Sequence, residues 1–273
     1  MIKVNGKEIV QNQFPDGTLL MKFCPETDSK PVIVEWLYEN DAELFALICV
    51  KGHLDRIVTG KDVMLSLPYI PHARQDRVKS HEDVFTLKYF CETINYLGFK
   101  KVFVHDAHSN VSLALINNVV DWGVAGYIER AIELCKAETL FFPDEGAMKR
   151  YSSKSTLPYA FGMKKREWET GKIQGLEIIH SENIKDKNVL IVDDICSRGG
   201  TFYHSAKALR EAGAKSVSLY VTHLEETVTL GDLPDSGLID HIYTTESIFP
   251  EKLVERQSSD GELIWGNWIS ILH

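Results

Sequence analysis

One stretch, Val189 to Thr201, constrains the fold of this 273-residue chain more than any other. It begins with four apolar, β-rich residues and continues with two adjacent acids, Asp193 and Asp194. It ends in a Ser/Gly/Thr loop, and a helix-like stretch then runs to Glu211. A short apolar run of this kind predicts a buried parallel strand, and ligands of open α/β sheets bind at the carboxyl ends of such strands. The chain is therefore expected to be an α/β protein with a binding loop after this strand.

The loop that follows the two acids has the composition of an anion-binding turn. Gly199 and Gly200 let backbone N–H groups approach an anion closely. Ser197 and Thr201 add hydroxyl donors, Arg198 adds a cation, and the next helix adds the positive end of its dipole. Acids placed just before such a loop suit sugar hydroxyls or a magnesium ion better than a phosphate. The segment predicts a sugar-phosphate site, and an ordinary strand–turn–helix is the alternative.

This pattern resembles the phosphoribosyl-diphosphate loop of the type I phosphoribosyltransferase superfamily. The resemblance implies that Asp193 and Asp194 hold the ribose 2- and 3-hydroxyls and that the loop, Ser197 to Thr201, holds the 5-phosphate. The loop differs from the commonest form in that superfamily because Arg198 and Gly199 add a cation and room.

A second segment, Leu67 to Arg77, is similar to the ATP-site segment of ribose-phosphate pyrophosphokinases, the enzymes that make phosphoribosyl diphosphate. It ends in Ala-Arg-Gln-Asp-Arg, which the simple phosphoribosyltransferases lack. Arg74 and Arg77 suit phosphate, Gln75 suits a base or ribose, and Asp76 can orient the arginines. Alone, the segment would read as a charged surface loop; with the resemblance, it is expected to bind ATP.

Further motifs follow in the same order as in that family. The turn from Phe14 to Thr18 resembles a family turn whose phenylalanine and aspartate, here Phe14 and Asp16, contact adenine in the neighbouring subunit. Thr18 stands where the family usually has Glu. His108 and Asp144 match positions near the magnesium of MgATP.

Lys164 and Arg166 match the Lys-x-Arg pair that opens the family's mobile catalytic flap. The resemblance implies that their cations close over the transferring diphosphate. A solvated charge run is the plain alternative for this segment.

Composition restricts the class of protein. The formal net charge of −9 argues against a protein that coats nucleic acid. The five scattered cysteines indicate neither a disulfide framework nor a metal cluster. No signal-peptide pattern or membrane-spanning apolar stretch is present, so a cytoplasmic protein that binds neither nucleic acid nor membrane is expected.

The layout predicts two similar phosphoribosyltransferase-like domains, each a mainly parallel sheet flanked by helices. We place them at residues 1–130 and 131–250, with a tail, 251–273, packing back on one of them. Phe45 to Val50 and Val124 to Ile128 are expected to be strands. The chain is shorter than typical family members, and the missing length is expected mostly before Phe14 and between Val50 and Lys61, where the family has a helix.

The resemblance implies magnesium-dependent transfer of the β,γ-diphosphoryl group of ATP to the 1-hydroxyl of ribose 5-phosphate. Magnesium and ATP are the implied cofactor and co-substrate, and a homo-oligomer, a dimer or larger, is the implied assembly. The same transfer to ADP-ribose in NAD salvage is the first alternative, because the loop is roomier. A phosphoribosyltransferase or a non-catalytic regulatory homologue is the second.

Overall fold

The computed structural model describes residues 1–25, 31–166, 173–249, 256–257, 263–265 and 268–272, and for 164–166, 173–175, 256–257 and 263–265 it describes the backbone. The chain divides into two units, Met1–Gly123 and Val124–His273. The predicted boundary, between residues 130 and 131, falls a few residues later, inside the helix Ala125–Cys135. No helix among the described residues is long and apolar enough to cross a membrane.

The first unit is built on parallel strands with crossover helices, as the sequence predicts. Its sheet, within the described residues, has the order β2-β1-β5-β6-β7-β8; the strands from β5 to β8 run parallel, and β3 and β4 form a separate hairpin. Its elements are β1 (Ile2–Val4), β2 (Lys7–Glu8), β3 (Gln11–Gln13), β4 (Leu19–Met21), β5 (Val32–Trp36), α1 (Ala42–Ile57), β6 (Val63–Ser66), α2 (Thr86–Tyr96), β7 (Val102–His105), α3 (Asn110–Leu115) and β8 (Val119–Trp122).

The expected strand Phe45 to Val50 is wrong, because this stretch lies inside helix α1. Six consecutive mostly apolar residues fit a buried strand or a buried helix turn equally well. The wider spacing decides, since the buried apolar positions Ala46, Leu47, Val50 and Leu54 recur every three or four residues. The same helix corrects the expectation of a missing helix after Val50, because α1 continues to Ile57.

The second unit has a larger sheet with the order β11-β10-β9-β12-β13-β14-β17-β16-β15 among the described residues. The six strands from β10 to β17 in that order pair in parallel. Its elements are α4 (Ala125–Cys135), β9 (Thr139–Phe142), α5 (Glu145–Tyr151), β10 (Tyr159–Arg166), β11 (Ile173–Ile179), β12 (Asn188–Cys196), α6 (Gly200–Glu211), β13 (Ser216–Leu224), β14 (His241–Thr245), β15 (Arg256–Gln257), β16 (Leu263–Trp265) and β17 (Ile269–Leu272), with short 3-10 turns at Ser152–Lys154, Ser181–Asn183, Glu226–Leu230 and Pro234–Ser236.

The central strand β12 explains why a continuous apolar run predicts a buried strand. Val189 and Ile191 pack in one apolar cluster with residues of α6, and Leu190 and Val192 pack in another with residues of α4. Successive side chains of a strand point to opposite faces, so a strand covered on both faces needs apolar residues throughout.

The expected strand Val124 to Ile128 is also wrong, since it is the start of α4. Val124, Ile128 and Ala131 are buried at a spacing of four and three residues, as on one face of a helix. At the other end of the chain, β17 pairs in parallel with β14, so the described part of the tail completes the sheet of the second unit.

Candidate active site

In the second unit, polar groups gather where β9, β12 and β13 end side by side. Asp194, at the end of β12, is buried, and its carboxylate accepts a hydrogen bond of 2.9 Å from Nη1 of Arg150 on α5. Its other oxygen accepts the backbone N–H of Ile195 at 2.9 Å. Arg150 therefore neutralises one of the two predicted ribose-binding acids and fixes its orientation.

The neighbouring carboxylate has a different environment. Asp193 accepts the backbone N–H of Asp194 at 3.0 Å, but burial together with the charges of Asp194 and Asp144 raises its pKa from 3.8 to about 8. A carboxyl group in this position favours a partner that donates hydrogen bonds or carries positive charge. Sugar hydroxyls and a hydrated magnesium ion both meet that requirement.

The loop after these acids is shaped by Gly199. Its φ is +80°, in the left-handed region, and a Cβ there would lie 2.8 Å from Cδ2 of Leu233. Its carbonyl accepts the N–H of Tyr203 at 2.8 Å, so the loop leads directly into α6. Arg198, Gly200 and Thr201 are exposed at this helix start. An exposed helix start of this kind suits an anion.

A second segment, residues 225–233, lies against the loop, and we refer to it as the wall segment. The hydroxyl of Ser197 donates to Oε2 of Glu225, and the hydroxyl of Thr227 donates to the same oxygen at 3.1 Å. A Cβ on Gly231 would collide with the carbonyl oxygen of Arg198, so the two backbones are in close contact there. The wall segment fixes the loop from one side.

Asp144 follows β9 and caps α5, where its carboxylate accepts the N–H of Ala147 at 3.0 Å. It is exposed, and its charge contributes to the raised pKa of Asp193, so it belongs to the same cluster. Within the described residues, no three or more His, Cys, Asp or Glu side chains form a metal-holding group. A metal here would need further ligands from a bound substrate.

The first unit has a cleft of about 380 Å³ where the segments after β6 and β7 come together. The predicted ATP segment and His108 line it. Lys79 and Asp83, which the sequence patterns did not indicate, line it as well. The lining residues are Arg74, Gln75, Asp76, Arg77, Lys79, Asp83 and His108. The excess of basic side chains suits a polyphosphate.

Asp76 orders this cleft, as the sequence predicted it could. It is buried, and its two oxygens accept hydrogen bonds from Nε and Nη2 of Arg77 at 2.6 and 3.0 Å. The hydroxyl of Ser109, which also caps α3, donates to it at 2.8 Å. The Arg77 pair is the largest cause that lowers the pKa of Asp76 to about 2, so the carboxylate stays ionised and the guanidinium stays oriented.

The other predicted residues of the first unit take separate places. The side chain of Gln75 accepts a hydrogen bond from Thr86 at 2.8 Å. Phe14 and Asp16 lie in the turn between β3 and β4, where both are exposed. Thr18 donates its N–H and its hydroxyl to Asp16 at 3.0 and 2.7 Å, so it closes the turn.

Lys164 and Arg166 lie at the end of β10, and their side chains lie outside what the structure describes. Among the residues that sequence reasoning did not assign, Arg150 and Glu225 contact the predicted loop and acids directly. Arg150 lies on the short helix that the predicted residue Asp144 caps. Glu225 carried no local signal.

Comparison with known proteins shows what the chain is similar to. The model of the phosphoribosyl transferase domain matches residues 148–233, from α5 to the end of the wall segment. Curated ribose-phosphate pyrophosphokinases match along most of the chain. The chain of Mycoplasma pneumoniae is 29% identical over 88% of this chain and 76% of its own length, and that of Thermococcus kodakarensis is 27% identical over 79% and 77%. The chain is similar to the ribose-phosphate pyrophosphokinases over most of its length. The resemblance inferred from the motifs is thereby confirmed.

A solved structure shows the same fold. The phosphoribosylpyrophosphate synthetase of Mycobacterium smegmatis superposes with a TM-score of 0.70 and 20% identity, covering 88% of this chain and 80% of its own. The predicted α/β class with two mainly parallel sheets is confirmed by this likeness and by the sheets described above.

Proposed function

We propose that this chain transfers the β,γ-diphosphoryl group of ATP to the 1-hydroxyl of ribose 5-phosphate, giving phosphoribosyl diphosphate and AMP. The observation that carries the proposal is the end of β12, where two acids in contrasting environments precede a loop with a left-handed glycine and a helix start. The named relatives support the same reaction class.

Each half of the reaction has a set of residues suited to it. The cleft of Arg74, Gln75 and Arg77 would hold ATP, with Asp76 keeping the guanidinium of Arg77 in place. On the acceptor side, Asp193 and Asp194 would accept the ribose 2- and 3-hydroxyls, and the loop 197–201 would hold the 5-phosphate. The 1-oxygen would form a bond to the β-phosphorus, the bond from that phosphorus to the bridging oxygen of AMP would break, and the hydroxyl proton would pass to solvent.

Magnesium fits the residues that are present. Mg²⁺ in phosphoryl-transfer sites is usually held by one or two carboxylates together with substrate phosphates. Asp144 offers an exposed carboxylate beside Asp193, and His108 faces the cleft of the first unit. Bound magnesium would supply charge neutralisation at the transferring group. Lys164 and Arg166 are proposed to add cations there, on the strength of their motif.

ADP-ribose is a second candidate acceptor, because the outer side of the phosphate loop is open. Arg198, Gly200 and Thr201 are all exposed, so a 5-phosphate that continues into a second phosphate would have room and a nearby cation.

The exposed turn that contains Phe14 and Asp16 is suited to contact a second copy of the chain, so we also propose a homo-oligomer.

The deciding experiment is AMP release from MgATP by the purified protein, with ribose 5-phosphate and ADP-ribose offered in parallel. AMP formed with ribose 5-phosphate supports the proposal, and AMP formed with ADP-ribose alone assigns the chain to the second candidate. AMP with neither acceptor would contradict both and favour a phosphoribosyltransferase or a regulatory homologue.

A further inference from the structure

Glu225 places a carboxylate at the proposed phosphate loop, and the sheet fixes it there. The parallel register of β12 and β13 pairs Cys196 with Leu224, so Ser197 and Glu225 leave the sheet side by side. The backbone N–H of Glu225 donates to the carbonyl of Cys196 at 2.8 Å. The position of this acid therefore follows from strand pairing and does not depend on a flexible surface loop.

The contact between the two side chains changes what the loop offers to a phosphate. A serine hydroxyl has one proton to donate, and the proton of Ser197 is donated to Oε2 of Glu225. While that bond holds, the Ser197 oxygen presents lone pairs to a ligand. Thr227 donates to the same carboxylate oxygen at 3.1 Å and holds it in place. The loop thus gives up one donor toward a bound phosphate.

The negative charge of Glu225 also weakens the binding of a phosphate to the loop. A phosphomonoester carries about −1.5 to −2 at pH 7, whereas a phosphate substituted on a second oxygen carries about −1. Coulomb repulsion scales with the product of the charges, so a fixed carboxylate opposes the monoester up to about twice as strongly. The half-buried position of Glu225 limits screening by salt.

We propose that Glu225 is a specificity-determining residue of the acceptor site, which weakens the binding of a free phosphomonoester more than that of a substituted, singly charged 5-phosphate. This inference rests on the proposed function, because it concerns the phosphate group of the same acceptor. It implies that Glu225, in the wall segment, affects the relative affinity of the site for the two acceptor candidates.

The test uses two ligands that differ by one charge, ribose 5-phosphate and its 5-(methyl phosphate) diester. Their dissociation constants are measured by calorimetry on the whole protein without ATP, for the wild type and for Glu225→Gln. Glutamine keeps the length of the side chain and can accept the Ser197 hydrogen bond, but it removes the charge. We expect the variant to bind ribose 5-phosphate about tenfold more tightly and the diester about threefold more tightly or less.

Asp235→Asn is the matched control, since it removes one exposed carboxylate from the turn just after the wall segment and should change neither constant. Glu225→Ala also lacks the charge and must shift the ratio of the two constants in the same direction. An equal shift for both ligands, no shift, or no binding of either ligand to any of these proteins would overturn the inference. AMP release assayed on the same samples reports separately on the proposed function.

Discussion

Asp76 is the residue through which the cleft of the first unit is organised. Its carboxylate holds Arg77 through two hydrogen bonds and also accepts from Ser109, so a single acid orients a cation and ties it to α3. An oriented guanidinium loses less freedom when a phosphate binds than a mobile one does.

We expect Asp76→Asn to raise the KM for MgATP by roughly tenfold, because an amide cannot accept both guanidinium bonds. Steady-state kinetics with saturating acceptor measures this change. Asp62→Asn, which removes an exposed carboxylate elsewhere in the first unit, should leave the KM unchanged. Equal KM values for wild type and Asp76→Asn would show that Arg77 needs no such support.

Arg150 has the corresponding role in the second unit, where it compensates the buried charge of Asp194. Removing one partner of such a pair leaves an uncompensated charge, which typically costs about 3 kcal/mol. We expect Arg150→Met to lower the free energy of unfolding in urea by that order, and Asp194→Asn in the same chain to recover part of the loss.

Lys149→Met is the control for this cycle. Lys149 forms an exposed ion pair with Glu145 at 2.8 Å on the same helix, and such a pair contributes about 0.5 kcal/mol or less. If Lys149→Met and Arg150→Met cost the same, the Arg150 pair would not carry the stability assigned to it.

At the scale of elements, two adjacent glycines stand at the start of α6, and their surroundings predict opposite effects of an added side chain. Gly199 has a φ of +80°, and a Cβ there would lie 2.8 Å from Cδ2 of Leu233. Gly200 is the first residue of the helix, and a Cβ there would meet open space. We expect Gly199→Ala to destabilise the protein by about 1–3 kcal/mol and Gly200→Ala to be neutral or stabilising by up to about 1 kcal/mol.

Thermal unfolding of the two variants beside the wild type measures the difference. Gly200→Ala serves as the control for the added methyl group, because both variants change the same loop by the same atoms. A melting temperature for Gly199→Ala at or above that of Gly200→Ala would contradict the role given to the left-handed turn.

The elements also show where sequence patterns are informative. The strand–acid–glycine–helix order at β12 and α6 could be predicted, because the continuous apolar run of a strand covered on both faces and the glycine loop are both local signals. The stretches at Phe45 and Val124 resemble strands in sequence but lie in helices, because four to six mostly apolar residues show no period of their own. A longer window, with burial every three or four residues, distinguishes those helices.

For the whole molecule, the raised pKa of Asp193 predicts how stability depends on pH. A carboxyl group whose pKa rises on folding keeps its proton in the folded chain at pH values where the unfolded chain has lost it. Between pH 4 and the pKa of about 8 that Asp193 has in the folded chain, folding therefore takes up protons. The free energy of unfolding falls as the pH rises through this range.

We expect Asp193→Asn to remove this loss, so that the variant gains stability relative to wild type between pH 5 and pH 8. Urea denaturation in magnesium-free buffer at several pH values measures the two curves. Asp232→Asn, at an exposed position, should run parallel to wild type. Parallel curves for Asp193→Asn would contradict the raised pKa.

Contacts across the sheet explain why part of the site could not be predicted. Asp193, Asp194 and the loop after them are contiguous in sequence, and their chemistry is readable from the residues alone. The pairs Arg150–Asp194 and Ser197–Glu225 join positions 44 and 28 residues apart. They depend on the order in which β9, β12 and β13 pair, and that order was not available from local patterns.

The close contact between the loop and the wall segment has a consequence for protein engineering. Gly199 in the loop and Gly231 in the wall segment have no space for a side chain, so substitution at either position would distort the contact between the two segments. The side chain of Glu225 contacts the loop and that of Thr227 contacts Glu225, so both side chains can be exchanged while the backbone contacts stay in place. A library aimed at new acceptors should therefore vary Glu225 and Thr227 and leave Gly199 and Gly231 intact.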